Sequence, residues 1–169
     1  MNIFVLSLCW KMCAQYMIDK HISKIILECA QMLCSAKHVL DPENVDKDRI
    51  YKIAHKNHPC TIWVRNSYEN YRWTIQLVEA MHNEWKFRYN HPQEKLHKSY
   101  IVVQYLKENP PPLSAFPCNG MTPFAQAMPE EFKRDDAVEA YRLYYQSDAK
   151  QKFATWKKRE RPEWYKLNV

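Results

Sequence analysis

His21, Lys24, Glu28 and Gln31 recur at helical spacing within the stretch Asp19-Lys20-His21-Ile22-Ser23-Lys24-Ile25-Ile26-Leu27-Glu28-Cys29-Ala30-Gln31-Met32-Leu33. At about 100° per residue they form one column, with base, cation, carboxylate and amide stacked a turn apart. The neighbouring stripe, Ile18, Ile22, Ile25, Cys29, Met32 and Leu33, is apolar and predicts the buried face of the helix. An acid/base group at such a margin is partly desolvated and so can be tuned. A carboxylate there can stabilise a cationic sugar-like transition state, or activate water or an amine beside it. Lys24, at i−4, favours an ionised Glu28, and His21 can shuttle a proton or hold a phosphate. The plainer reading is a solvated Lys24–Glu28 pair with a histidine at the core edge.

A second constellation is His55-Lys56-Asn57-His58-Pro59-Cys60. Asn57 or His58 suits a helix cap and Pro59 the first turn, where its missing N–H costs nothing. A helix N-terminus with His55, Asn57, His58 and a following Arg65 favours an anion such as a nucleic-acid phosphate. Capping and core packing explain the same residues without a ligand. Cys9 with Cys13, and His55 with His58 and Cys60, lack the tight paired spacing of zinc sites, so no metal is expected. No cysteine has the context of a nucleophile. With no tight Cys-x-x-Cys pair, free thiols in a reducing compartment are expected.

The elements that must position these groups follow from composition and periodicity. A single glycine, Gly120, stands where average usage of about 7% would supply on the order of twelve. Phosphate-cradling loops need several, which excludes a P-loop or dinucleotide fold and with them a nucleotide cofactor. Ten prolines among 169 residues suggest helices joined by proline-marked turns. The expected fold is mainly α, a compact single domain over residues 1–169 with a basic-aromatic tail over about 150–169. Residues 2–8 form a short strand or extended arm, and the first helix covers 11–33. A short helix from Asp41-Pro42-Glu43 reaches Tyr51. A second long helix covers 59–89 with a kink near Asn66-Ser67, its apolar side drawn from Ile62, Tyr68, Tyr71, Ile75, Val78 and Met81. A third covers 94–107, with Ile101, Val102 and Tyr105 inward. An irregular segment follows from Asn109; loops of that length are commonly functional. Asp135 caps a helix over 137–145, and a last helix covers 149–158. The apolar run at residues 3–10 is too short to span a membrane, and a cytoplasmic protein without membrane association is expected. A formal charge of +6 and a pI near 8.9 are compatible with a nucleic-acid partner.

Several motifs carry resemblances. Asn2-Ile-Phe-Val-Leu-Ser, the 19–33 stretch, His55 to Cys60, Leu96-His97-Lys98-Ser99, Met121-Thr-Pro-Phe-Ala-Gln-Ala-Met128-Pro129 and Trp156-Lys-Lys-Arg-Glu-Arg-Pro-Glu-Trp164 resemble, across the whole chain, uncharacterised proteins of phages and large viruses. His21 and Glu28 on the first long helix, Asn57-His58-Pro59, and Arg161-Pro162-Glu163-Trp164-Tyr165-Lys166 resemble the pyrimidine-dimer DNA glycosylase (endonuclease V) family and its bacterial members. That resemblance implies an all-α fold and attack on sugar C1′ by an N-terminal α-amine, giving an imine and strand cleavage by β-elimination. A free α-amine titrates near about 7.7–8.0, so a nucleophilic fraction exists at neutral pH. The family's glutamate maps to Glu28. The chain departs from the family in carrying Asn2 where a small threonine follows the initiator, and Leu27 where a basic residue precedes the glutamate. The amine then belongs to Met1 or Asn2, or Lys24 substitutes for it.

The expected function is therefore a DNA glycosylase acting on a damaged or modified pyrimidine, with AP-lyase activity open. Glu28, His21, Lys24, Met1 and Asn2 are the catalytic candidates. Gln31, His55, Asn57, His58, Arg65, His97, Lys98, Lys157, Lys158, Arg159, Arg161, Trp164 and Tyr165 are the candidates for binding duplex DNA. A monomer without cofactor, encoded by a phage or virus, is expected. The alternatives are a non-catalytic nucleic-acid-binding or host-interaction protein and an enzyme acting on free nucleosides or nucleotides.

Overall fold

Helix α2 (Asp19–Leu40) is the element the others pack on. Its apolar stripe is fully enclosed: Ile22, Ile25, Cys29, Met32 and Leu33 are 0% exposed and Ile18, just before it, 2%. The computed structural model describes residues 1–167, and the described residues are helical with no strand. Around α2 lie α1 (Trp10–Tyr16), α3 (Pro59–Asn66), α4 (Tyr68–Arg88), α5 (Lys98–Glu108), α6 (Ala137–Tyr145) and the short α7 (Asp148–Gln151). Helices α3, α4 and α5 pack directly on α2, and α1 packs on α4. Residues 2–6 are an extended arm rather than a strand, and they are buried in the core.

The expected first helix is two helices. Met17 and Ile18 are extended (ψ 141° and 154°), and the helix restarts at Asp19. The carbonyls at the end of α1 are taken by the buried Arg88 guanidinium, which donates to Met17 O (2.6 Å) and Gln15 O (2.9 Å) and shares Ala14 O (3.4 Å) with the Met17 N–H. The Ile18 N–H goes to the Tyr145 hydroxyl at 2.9 Å. Tertiary partners replace the helical bonds of this turn, so the helix can break without orphaned groups.

Helix α2 runs past Leu33 to Leu40, and the helix expected to reach Tyr51 is only a 3-10 turn, Pro42–Asn44. Residues 51–54 instead bond to side chains of α2. Tyr51 N–H meets Cys34 Sγ, Tyr51 O meets His38 Nε2, and Ser35 Oγ both accepts from and donates to the Ala54 backbone. The kink expected near Asn66-Ser67 is a full break: Ser67 is extended and its side chain caps α4 through the Asn70 N–H at 3.0 Å.

Helix α5 begins at Lys98 because the His97 side chain caps it through the Ser99 N–H. Its fully buried residues are Ser99, Val103 and Leu106; of the residues read from sequence, Val102 and Tyr105 are partly buried against the core, while Ile101 is 50% exposed. Asp136, rather than Asp135, caps α6. The last helix is a single turn, since Thr155 and Lys157 bond to Asp19 and so leave the helical path. The final residues of the tail, 168–169, lie outside the described residues. No helix among the described residues is long and apolar enough to cross a membrane.

Candidate active site

Glu28 faces the start of the chain. The Met1 α-ammonium nitrogen lies 3.1 Å from Glu28 Oε1, and the Glu28 side chain is 14% exposed. Both groups line a pocket of about 420 Å³ together with Asn2, Phe4, His21, Lys24, His58, Pro59, Lys133, Tyr144, Lys150 and the 126–128 segment. The column read on α2 is real: His21, Lys24 and Glu28 open on one cavity. Gln31 does not join them and lines a neighbouring concavity with Lys24, Leu27, Lys52, His97 and Lys98.

The arm reaches Glu28 because Asn2 anchors it. Asn2 Nδ2 donates to Ala127 O at 2.9 Å, while its Oδ1 accepts the N–H groups of Ile3 (2.7 Å) and Phe4 (3.2 Å). Phe4 takes a left-handed backbone conformation (φ 58°) that a bulky side chain rarely adopts. That turn lays its ring on the His21 imidazole, with centroids 4.3 Å apart and planes 18° apart. Cys13 secures the bend, its Sγ donating to Phe4 O and accepting from Leu6 N–H.

His21 is buried at 5% exposure. Burial, with help from Lys150, Lys24 and Lys20, lowers its pKa to about 3, so the ring is neutral at physiological pH. Its Nδ1 lies 2.8 Å from the Tyr145 hydroxyl, whose oxygen already accepts the Ile18 N–H. In the tautomer in which the hydroxyl donates to Nδ1, the imidazole proton sits on Nε2. His58 caps α3 by accepting the Cys60 N–H at Nδ1 (3.1 Å). Burial first, then the Met1 amine and His55, lowers its pKa, with Glu28 acting the other way. The pocket therefore holds neutral imidazoles beside an amine–carboxylate contact.

The other sequence candidates are dispersed. His55 and Asn57 are exposed and do not line the pocket. Arg65 is half-buried and donates to Lys56 O at 2.7 Å. His97 Nε2 lies 3.1 Å from Ser23 Oγ and ties α5 to α2. In the tail, Arg159 pairs with Glu84 at 2.6 Å, Lys158 donates to Phe87 O and Asn90 Oδ1, and the Lys157 N–H donates to Asp19. Arg161 is exposed. Tyr165 is 2% exposed, which withdraws its ring from any surface a duplex could touch. Trp164 packs edge-on against Tyr16. None of these tail residues lines the pocket.

Sequence reasoning did not find Phe4, Lys133, Tyr144 or Lys150. The nearest signals were the arm over residues 2–8, the basic tail beginning near Lys150 and the long segment after Asn109, which supplies Gln126, Ala127 and Met128 to the wall. All six cysteines are free, and no cluster of His, Cys, Asp and Glu among the described residues is placed to hold a metal ion.

A family model described as pyrimidine dimer DNA glycosylase matches residues 1–97. That span contains Met1, Asn2, Phe4, His21, Lys24, Glu28 and His58, while the rest of the pocket wall lies beyond it. No curated protein and no solved structure matches the chain.

Proposed function

The chain belongs to the pyrimidine dimer DNA glycosylase family, and from that premise we propose that it excises dimerised pyrimidines through the α-amine of Met1, with Glu28 as its partner. Membership supports a DNA glycosylase-type function on pyrimidine dimers in general, with DNA as the substrate. The observation that carries the finer reading is the 3.1 Å contact between the Met1 nitrogen and Glu28 Oε1 inside the pocket.

In this reading the neutral amine adds to C1′ as the C1′–N bond breaks, and the pyrimidine leaves with the bonding electrons. Glu28 accepts the proton that the nitrogen sheds and stabilises cationic character at C1′. Opening of the sugar at its ring oxygen yields a C1′ imine. Loss of a C2′ proton then expels the 3′ phosphate by β-elimination, and water hydrolyses the imine to return the free amine. Neutral His21, in the tautomer that presents Nε2–H, is suited to donate a hydrogen bond rather than add a charge beside the amine.

The test is incubation with a duplex carrying one thymine dimer in the presence of borohydride, followed by intact mass and peptide mapping. A reduced adduct on residue 1, lost in Glu28→Gln, is expected. An adduct on Asn2 or Lys24 overturns the assignment of the nucleophile. No adduct and no abasic product, from folded protein that still binds the dimer duplex, sinks the glycosylase reading.

A further inference from the structure

A pyrimidine that leaves C1′ with the bonding electrons is an anion, and the contact between the Met1 amine and Glu28 does nothing to receive it. Met1, Glu28 and His58 reach the pocket from the arm, α2 and the start of α3, whereas Tyr144 and Lys150 reach it from α6 and α7. Lys150 is half-buried and has no carboxylate within ion-pair distance among the described residues. Lys133, the other lysine that the C-terminal part brings to the pocket, is paired with Glu130 at 2.5 Å. In place of an anion Lys150 has two rings: its Nζ lies 5.0 Å from the centroids of both Phe4 and Tyr144. Those rings are nearly parallel, with planes 21° apart and centroids 6.2 Å apart. Burial lowers the Lys150 pKa, the Lys24 charge adds to that, and Glu28 acts in the opposite direction. An ammonium held against rings has lost part of its water, so negative charge appearing beside it is stabilised more than it would be in solvent.

We infer that Lys150, held against the Phe4 and Tyr144 rings, receives the departing pyrimidine, its ammonium binding the C2 carbonyl oxygen as the C1′–N1 bond breaks. The electron pair of that bond passes to N1 and is shared with the C2 oxygen, so this carbonyl gains charge only as the reaction proceeds. The hydrogen bond from Lys150 strengthens in step, which lowers the barrier rather than tightening ground-state binding. A proton then passes from the ammonium to the pyrimidine anion, and water returns one to the neutral lysine. Attack on one face of C1′ sends the base toward the other, and the pocket draws the nucleophile and this lysine from different parts of the chain. The inference rests on the glycosylase reading and adds to it a catalytic residue for base departure, one that lies outside the family-matched residues 1–97.

The experiment follows single-turnover borohydride trapping by the full chain on two duplexes, one with a single thymine dimer and one with a preformed abasic site at the same position. Only the first has a base to expel. Lys150→Gln is expected to slow adduct formation on the dimer duplex by about a hundredfold, the scale of one positioned donor or acid. On the abasic duplex the loss should stay within about twofold, because no pyrimidine anion forms there. Lys150→Arg, which keeps the charge and its donors, should recover a large part of the dimer rate. Affinity for the dimer duplex, read in the Glu28→Gln protein to prevent turnover, should change by less than about twofold with the salt slope unaltered. Equal slowing on both duplexes, or affinity and salt slope falling together, assigns Lys150 to holding the strand and overturns the inference. A dimer reaction that is not slowed overturns it too. If Lys150→Gln does not fold, Lys150→Met keeps the stem against the rings without the cation and decides in its place. A parent protein that releases nothing from the dimer refutes the glycosylase reading and the inference with it. A parent active on both duplexes, with Lys150 variants that treat the two alike, refutes the inference alone.

Discussion

His21 occupies a position where an imidazole cannot hold a proton at neutral pH. Burial is the main cause, and the ammonium groups of Lys150, Lys24 and Lys20 add to it, giving a pKa of about 3. In the unfolded chain the same ring titrates near about 6.5. Between those values the unfolded state binds more protons, so stability rises with pH. His21 therefore takes nothing from stability above the unfolded value and erodes it as the pH falls toward about 3, by up to about 1.4 kcal/mol per pH unit. His82, lowered to about 4 mainly by burial, steepens the same limb. Replacing His21 by Gln should leave a smaller difference between urea midpoints at pH 7 and pH 4 than the parent shows. Equal differences in the two proteins would mean that the ring is not held neutral.

At the scale of elements, the site depends on what pins the arm and what breaks the first helix. Asn2 bonds the arm to Ala127 and organises its own turn. Asn2→Ala should cost about 1–3 kcal/mol in chemical denaturation, the range for leaving buried polar groups without partners. It should also slow adduct formation, because the amine is no longer aimed at Glu28; full trapping speed in a destabilised protein would detach the anchor from the chemistry. The break at Met17-Ile18 depends on Arg88, which pairs with Asp19 at 3.1 Å and Glu84 at 2.7 Å while capping α1. Arg88→Leu removes the buried cation from Asp19 and Glu84 and the donor from the Met17 and Gln15 carbonyls, and should cost about 3–5 kcal/mol, measured as a shift of the denaturation midpoint.

These elements also separate what was legible in the sequence from what was not. The apolar stripe of α2, its His21–Lys24–Glu28 column and the cap at His58-Pro59 follow from local periodicity and turn chemistry, and the structure has them. The break before Asp19 was not legible because the group that makes it possible, Arg88, lies 71 positions from Met17 in sequence. The pocket wall from Ala127, Tyr144 and Lys150 is non-local for the same reason. Ile101 and Val103 on α5 show the limit of periodicity in a short helix, where a shift of phase exchanges the exposed and buried sides.

At the scale of the molecule, the basic tail is part of the frame rather than a solvated arm. Asp19, at the start of α2, gives its N–H to Thr155 O at 2.8 Å and accepts from Thr155 Oγ1 and the Lys157 N–H. Trp156 Nε1 donates to Tyr16 O at 2.9 Å, and Arg159 closes on Glu84. Buried Tyr165 packs its ring edge-on against Trp156, 4.9 Å between centroids. A chain ended after Phe153 loses all of these contacts and leaves Asp19 and Glu84 with Arg88 as their remaining partner. A loss of roughly 4 kcal/mol, summed from a few buried hydrogen bonds and the Tyr165 ring, corresponds to a fall in Tm on the order of 10 °C for a protein of this size. Calorimetry of the shortened protein reads this directly. A tail that served only to hold DNA would give the opposite pattern, an unchanged Tm with weakened, less salt-sensitive binding. Because the tail clamps the start of α2, less than a turn before His21 and a few turns before Glu28, its loss should also reduce imine trapping by the protein that remains folded.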